Sequence, residues 1–178
     1  NQRFKDELRA LRSGHSMQMS EIATARHATA LAKLPAVIDF TKNLLESKDK
    51  VVVFAHHRDV IENIQKAFGN EAVILYGGMS DEEKDAAVWQ FMNNDKVRVF
   101  IGSITAAGVG LTLTKSDTVV FAECSWTPGE NSQAADRCHR IGQKSVVLVY
   151  HVVLEDSIDA TIAQRSIEKE EIIERALN

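Results

Sequence analysis

The sequence predicts an α/β fold three layers deep, in which a mostly parallel sheet is covered by helices on both faces. Three observations carry this. Val51–Ala55 is an unbroken apolar run of strand length, the pattern of a strand buried on both faces. Runs of that length recur along the chain and alternate with segments of helical period, which is the order of a βαβ sheet. The segments after these runs carry small, hydroxyl and charged residues, and parallel sheets bind their ligands at the carboxyl ends of the strands.

Residues 1–30 are polar and helix-permissive, with Ser13 and Gly14 interrupting the run. Leu8 and Leu11 offer only a short apolar stripe, so this part reads as a helical lead-in from a preceding lobe or linker. The lobe itself is expected over residues 31–154. Leu34, Val37, Ile38, Thr41, Leu44 and Leu45 recur at helical spacing, with Pro35 placed as a first-turn residue. After Val51–Ala55 come His56, His57 and Arg58, then a helix marked by Val60, Ile61, Ile64, Ala67 and Phe68 and stopped by Gly69. Residues 72–76 read as a short strand and Gly77 with Gly78 as a tight turn. Ser80 and Glu83 form a capping box that opens a helix running to Asn93. Residues 97–101, 118–122 and 146–153 are the third, fourth and fifth strands. Glu155 and Asp156 read as the acidic cap of a last helix within residues 155–178, a brace marked by Ile158, Ile162, Ile172, Ile173 and Leu177.

With 178 residues, 44% hydrophobic and 26% charged, the chain has the make-up of a globular lobe and not of a disordered segment. A formal charge of -4 does not announce a nucleic-acid binder, so contact with phosphates must come from a local patch or from backbone groups. Cys124 and Cys138 stand far apart without companions at metal-ligand spacing, which argues against zinc and suits a reducing compartment. No apolar run reaches membrane-spanning length. The chain opens without Met and in helical register, and is expected to be part of a longer protein.

Residues 133–144 are the most informative stretch. If they are helical, Gln133, Arg137 and Arg140 fall at i, i+4 and i+7 and leave one face together. Two guanidiniums on one face repel each other, neither gives up its proton, and Asp136 points elsewhere on such a helix. A phosphate-rich anion would satisfy both, which reads as a pair of arginine fingers. A solvated face making surface salt bridges is the competing reading. Gly108 and Gly110 sit in a loop of hydroxyls and alanines, where backbone N–H groups approach phosphates closely or where glycine serves a turn. Ser103 and Thr105 offer hydroxyls to a phosphodiester. Trp126, beside Pro128, packs at a rim or presents its ring to a nucleic-acid groove. His56 and His57 lack a third metal ligand, leaving phosphate contact or a capped strand end. None of the nine glycines is followed by lysine, so the phosphate cradle of a nucleotide-hydrolysing enzyme is missing from the sequence. Arginine fingers without a cradle make sense as half of a two-lobed machine.

Together these residues resemble the second RecA-like lobe of a superfamily-2 helicase, in the Swi/Snf-like branch of DNA translocases. Gln133-Ala-Ala-Asp-Arg137-Cys-His-Arg140-Ile-Gly-Gln143 matches that branch's motif VI, Gln-Ala-x-Asp-Arg-x-His-Arg-Ile-Gly-Gln, at every fixed position. Ser103-Ile-Thr105-Ala-Ala-Gly108-Val-Gly110 resembles motif V, Val52-Val-Phe-Ala-His-His57 resembles motif IV, and Trp126-Thr-Pro128 resembles the Trp-Asn-Pro ahead of motif VI. Lys33-Leu-Pro-Ala-Val-Ile38 and Val120-Phe-Ala-Glu123 are similar to the HARP-type annealing helicases, which remodel stalled replication forks.

The resemblance implies a RecA-like lobe whose Arg137 and Arg140 reach the γ-phosphate of ATP across a cleft, with Gln133 nearby and Gly108 and Gly110 on the nucleotide side. It implies that His57, Arg58, Gly78, Ser103 and Thr105 hold phosphates of a tracked strand, while Trp126 approaches the minor groove. ATP and Mg2+ would be held mainly by the first lobe. The partners would be double-stranded or forked DNA and that N-terminal lobe of the same polypeptide, with no membrane partner. The setting would be intracellular: the nucleus in a eukaryote, the cytoplasm or nucleoid in a prokaryote or virus. By itself the chain would show no ATPase activity. Ala107 stands where motif V usually has its first glycine, as in HARP-type proteins, and Ser125 and Thr127 replace the Asp and Asn that usually flank the tryptophan. Two other classes stay open. One is a non-catalytic module of this fold that binds DNA or a protein. The other is an RNA helicase of the same superfamily, against which the His-Arg-Ile-Gly-Gln ending argues.

Overall fold

A computed structural model describes residues 19–107, 110–139 and 145–177. Five strands, β1 (Val51–Ala55), β2 (Ala72–Leu75), β3 (Val99–Ser103), β4 (Thr118–Phe121) and β5 (Leu148–His151), pair in the order β2-β3-β1-β4-β5. Every pairing is parallel. β1 lies at the centre, with Val53 opposite Ile101 on one side and Val120 on the other.

Successive side chains of a strand point to opposite faces, so a strand buried on both needs two helical layers. Val52, Phe54, Phe100, Val119 and Phe121 pack on one face with Phe91, Ile104, Leu113 and Ile162. Val51, Val53, Val99, Ile101 and Val120 pack on the other with Leu34, Val37, Ile61 and Ile64. The second face is thus covered by α1 (Met19–Leu45) and α2 (Arg58–Phe68), and the first by α3 (Asp81–Asn93), α4 (Ile104–Ala107), α5 (Pro128–Ala135) and α6 (Ile158–Leu177).

Local chemistry sets several ends as the sequence predicts. Ser80 Oγ accepts the Glu83 N–H at 3.2 Å and the Glu83 carboxylate accepts the Ser80 N–H at 2.8 Å, closing the capping box of α3. α2 stops at Gly69, whose N–H donates to the Gln65 carbonyl.

Other ends differ. α1 is helical over Met19–Leu45, so Pro35 lies well inside the helix and not in its first turn. Its inner stripe before Pro35 is Ala25, Arg26, Thr29, Ala30 and Lys33, all buried. These are small or polar residues, which is why no apolar periodicity marks it. β3 starts at Val99, two residues later than expected, because the Val97 and Arg98 amides turn to the Asn94 and Glu71 carbonyls. α6 is capped by Ser157, whose Oγ accepts the Ala160 N–H at 3.2 Å; Glu155 and Asp156 are exposed in the preceding turn and do not cap it. The side chains of Ile172, Ile173 and Leu177 lie outside the described residues, while Ile158, Ile162 and Ala163 are buried against the sheet.

Two buried cations on α1, a heptad apart, satisfy carbonyls that the parallel strands leave open at their carboxyl ends. Arg26 donates to Cys124 O at 2.5 Å, and Lys33 Nζ donates to Val152 O at 2.8 Å while pairing with Asp159 of α6. Lys33 and Asp159 are each 3% exposed at the side chain, so neither charge can turn to water. Removing one partner leaves the other charge stranded. Asp159→Ala is expected to cost about 3–5 kcal/mol, whereas Lys33→Met with Asp159→Leu together should be far milder. Urea denaturation of the single and double variants checks this; a double variant as unstable as the single would show that packing, not charge, holds α1 to α6.

Candidate functional site

The carboxyl ends of β2, β3, β1 and β4 lie side by side, and the loops that leave them form one rim of the lobe. After β2, Gly78 takes φ +93, a value that side chains disfavour, with open space around it. Tyr76, at the same turn, lies under Arg58, whose guanidinium carbon is 4.3 Å from the ring centroid. Arg58 also donates to Glu62 at 2.8 Å, and both side chains are exposed, so this pair is readily exchanged for another anion.

After β3 the Ser103 and Thr105 oxygens are 2.9 Å apart. Ser103 is buried and Thr105 exposed, so only the outer hydroxyl of the pair faces solvent. Gly110 sits further along this loop at φ +60, again with open space around it. Gly108 lies outside the described residues.

The loop after β1 is held from below. Glu123, at the end of β4, accepts the amides of His56 and His57 at 2.8 Å each and meets His57 Nδ1 at 2.6 Å. Both amides and the Nδ1 edge of the His57 ring thus face Glu123. The His57 ring stacks on His27 of α1 with centroids 4.2 Å apart, and His27 Nε2 meets Asp59 at 2.7 Å.

After β4, Trp126 stands at the surface, 48% exposed, with Arg26 over its ring at 5.0 Å. Burial pushes the Arg26 guanidinium below its ordinary pKa, and the Asp159 and Glu123 carboxylates oppose that shift. Ser125 is buried and organises the tryptophan loop: its N–H donates to Asn131 Oδ1 at 2.8 Å and its Oγ donates to Glu130 at 2.5 Å.

Gln133 and Arg137 do not share a helical face. α5 ends at Ala135, and the Arg137 and Cys138 amides donate three residues back, to Ala134 and Ala135, in a tight turn. Arg137 is half-buried, and its carbonyl accepts the Leu113 N–H at 2.8 Å. That bond ties the arginine turn to the loop carrying Gly110. Arg140 lies outside the described residues. Among the described residues no cluster of three His, Cys, Asp or Glu side chains gathers that would hold a metal ion, and no helix is long and apolar enough to cross a membrane. A groove between Lys42, Leu45, Phe68, Glu71 and Arg98 lies at the opposite edge of the sheet, where Arg98 bonds the Leu45, Lys48 and Asp49 carbonyls; it is remote from the rim.

Residues 32–142 match the helicase conserved C-terminal domain. The chain belongs to that family. It is 42% identical over 135 residues to the SWI/SNF-related matrix-associated actin-dependent regulator of chromatin subfamily A-like protein 1 of Xenopus laevis, covering 74% of this chain and 14% of that protein. It is 40% identical over 135 residues to the DNA annealing helicase and endonuclease ZRANB3 of Homo sapiens, covering 74% and 12%. The chain thus spans about one seventh of the curated relatives it matches. The crystal structure of the C-terminal part of the Fun30 ATPase domain matches with a TM-score of 0.65 and 28% identity, covering 72% of this chain and 44% of that one. The chain is therefore a RecA-like helicase C-terminal lobe of the Swi/Snf-like kind.

Sequence reasoning gave no role to Arg26 and His27 of α1, and none to Glu123, although Glu123 ends the stretch Val120-Phe-Ala-Glu123. The two thiols of the lobe are buried, and burial pushes both Cys124 and Cys138 up to about 12. Both are therefore expected to resist iodoacetamide in the folded protein at about pH 8 and to react fully in denaturant, as read by intact mass. Labelling of native Cys138 would mean that the arginine turn opens readily.

Proposed function

We propose that this chain is the second motor lobe of an ATP-dependent DNA translocase of the annealing-helicase or chromatin-remodelling type, inactive without its first lobe and working on double-stranded or forked DNA. The observation that carries the reading is the bond from Leu113 N–H to the Arg137 carbonyl, which joins the arginine turn to the loop that carries Gly110. The donor set suits a nucleotide: Gln133 is exposed on α5, the Arg137 guanidinium follows in the next turn, and Gly110 leaves its backbone open to close approach. Bound ATP, with its Mg2+, supplies the transferable γ-phosphoryl group and is held mainly by the first lobe.

Arg137 and Arg140 donate to the phosphoryl oxygens from this side of the cleft and so favour the closed arrangement of the two lobes. Once that group has left, their donors return to water and the lobes part. Gly108 and Gly110 line the nucleotide side. Thr105, backed by Ser103, holds the tracked strand together with Arg58 and the Gly78 turn, while His57 supports the Arg58 loop. If each lobe grips the same strand, alternate closing and opening moves the protein along DNA. Trp126, steadied by Arg26, approaches the minor groove. Such an enzyme works where its DNA is, the nucleus in a eukaryote.

In the full-length enzyme, Arg140→Ala is expected to lower DNA-stimulated ATPase by about 10³–10⁵ while DNA binding is largely kept. Retained ATPase would remove the finger assignment. Arg58→Ala should weaken DNA binding at low salt and flatten the dependence of log affinity on log salt by about 0.7–0.9, as for one lost phosphate contact. Thr105→Val should weaken binding without changing that slope, because a hydroxyl carries no charge. Affinities measured by salt titration decide both, and unchanged binding would take these residues off the track.

A further inference from the structure

Glu123 has no part in the roles described so far, yet it is built into the rim more deeply than any residue that has one. Only 2% of it is exposed. One carboxylate oxygen takes the two successive amides of His56 and His57, the other takes His57 Nδ1, and the Glu123 N–H itself reaches back to Phe54 O at 3.4 Å. His57 is the residue from which α2 starts, and its own side chain makes no capping bond. The carboxylate that follows the neighbouring strand instead fixes the two amides just ahead of the helix. On its other side the loop is gripped by the His57–His27 stack and by Asp59, which holds His27 through one oxygen and the Val60 amide through the other, at 2.9 Å.

Two amides converging at a helix start are the groups that would draw a phosphate. Here an internal anion already fills that point, so a phosphate of the bound strand has to be met further out, by Arg58 and its neighbours. The direction in which Arg58 leaves the loop depends on where those amides are pinned. Resting on the proposal that this rim holds a DNA strand, we infer that Glu123 is a positioning residue: through His57 and two backbone amides it aims the Arg58 loop at the strand without touching it.

The sign of the effect separates this role from a merely electrostatic one. A buried negative charge near a polyanion repels it, so removing the charge would by itself tighten DNA binding. Loss of positioning weakens it. Glu123→Gln keeps an oxygen for the two amides and loses the charge; Glu123→Ala loses both. In the full-length, two-lobed protein, ATPase followed against DNA concentration is expected to show half-saturation raised about tenfold or more for Glu123→Ala, with the rate at saturating DNA within about twofold of wild type. Glu123→Gln should stay within about twofold in both quantities. Should Glu123→Ala melt below the assay temperature, His57→Phe, which keeps the stack on His27 and the two amide bonds but loses the ring bond, is expected to raise half-saturation by about two- to fivefold. Unchanged or tighter DNA dependence in folded Glu123→Ala, or in His57→Phe where the alanine variant does not fold, overturns the positioning role, as does a loss confined to the saturated rate. A wild-type enzyme whose ATPase ignores DNA overturns the rim assignment and this role with it.

Discussion

The structure depends on one constraint: β1 is buried completely on both faces at the centre of a parallel sheet. A strand without an exposed face cannot carry polar side chains, so chemistry is driven to the strand ends. Parallel pairing then puts the carboxyl ends of all five strands on one edge. The loops after four of them supply Tyr76 and Gly78, Thr105 and Gly110, His57 and Arg58, and Glu123 and Trp126. The polar edge is thus a consequence of how the core is made, and Phe54 shows the join: its carbonyl accepts the Ala122 N–H at 2.8 Å, tying the end of β1 to the segment that carries Glu123.

Ending parallel strands inside a protein leaves carbonyls to satisfy, and α1 does so with long cations. Hydrogen bonds from charged donors are worth about 1.5–3 kcal/mol each, but burying a lone charge costs more than one such bond returns. Lys33 is therefore viable because Asp159 shares its site. Arg26 has a softer solution, one bond to Cys124 O and the face of Trp126, with Asp159 and Glu123 within electrostatic reach. The same polar stripe that anchors α1 thereby also steadies the rim tryptophan.

Much of this was legible in the sequence because the signals were local. Val51–Ala55 is its own proof of burial, and Ser80 with Glu83 close a box whose members are three residues apart. What was not legible is set at long range. The start of α1 hides behind Ala25, Arg26, Thr29 and Lys33, whose partners lie at the far ends of β4 and β5. The end of α5 carries no glycine stop; Arg137 leaves the helix where its carbonyl meets Leu113, a residue of another loop. Ser125 and Thr127, departures from the usual residues beside the tryptophan, likewise show their use only in space. Ser125 Oγ donates to Glu130 and accepts the Thr127 N–H at 3.1 Å.

A lobe with a formal charge of -4 cannot collect DNA by bulk attraction, so its few rim cations must count by placement. The structure places them. Arg58 lies across Tyr76, and the buried Arg26 lies across Trp126 and bonds Cys124 O, so each leans on an aromatic face before any ligand arrives. Holding a side chain in advance lowers the ordering cost of binding, at the expense of the flexibility that would let it chase other anions. On the proposed function, a rim built this way would bind weakly wherever phosphate spacing is wrong, and would release one strand readily when the loops shift.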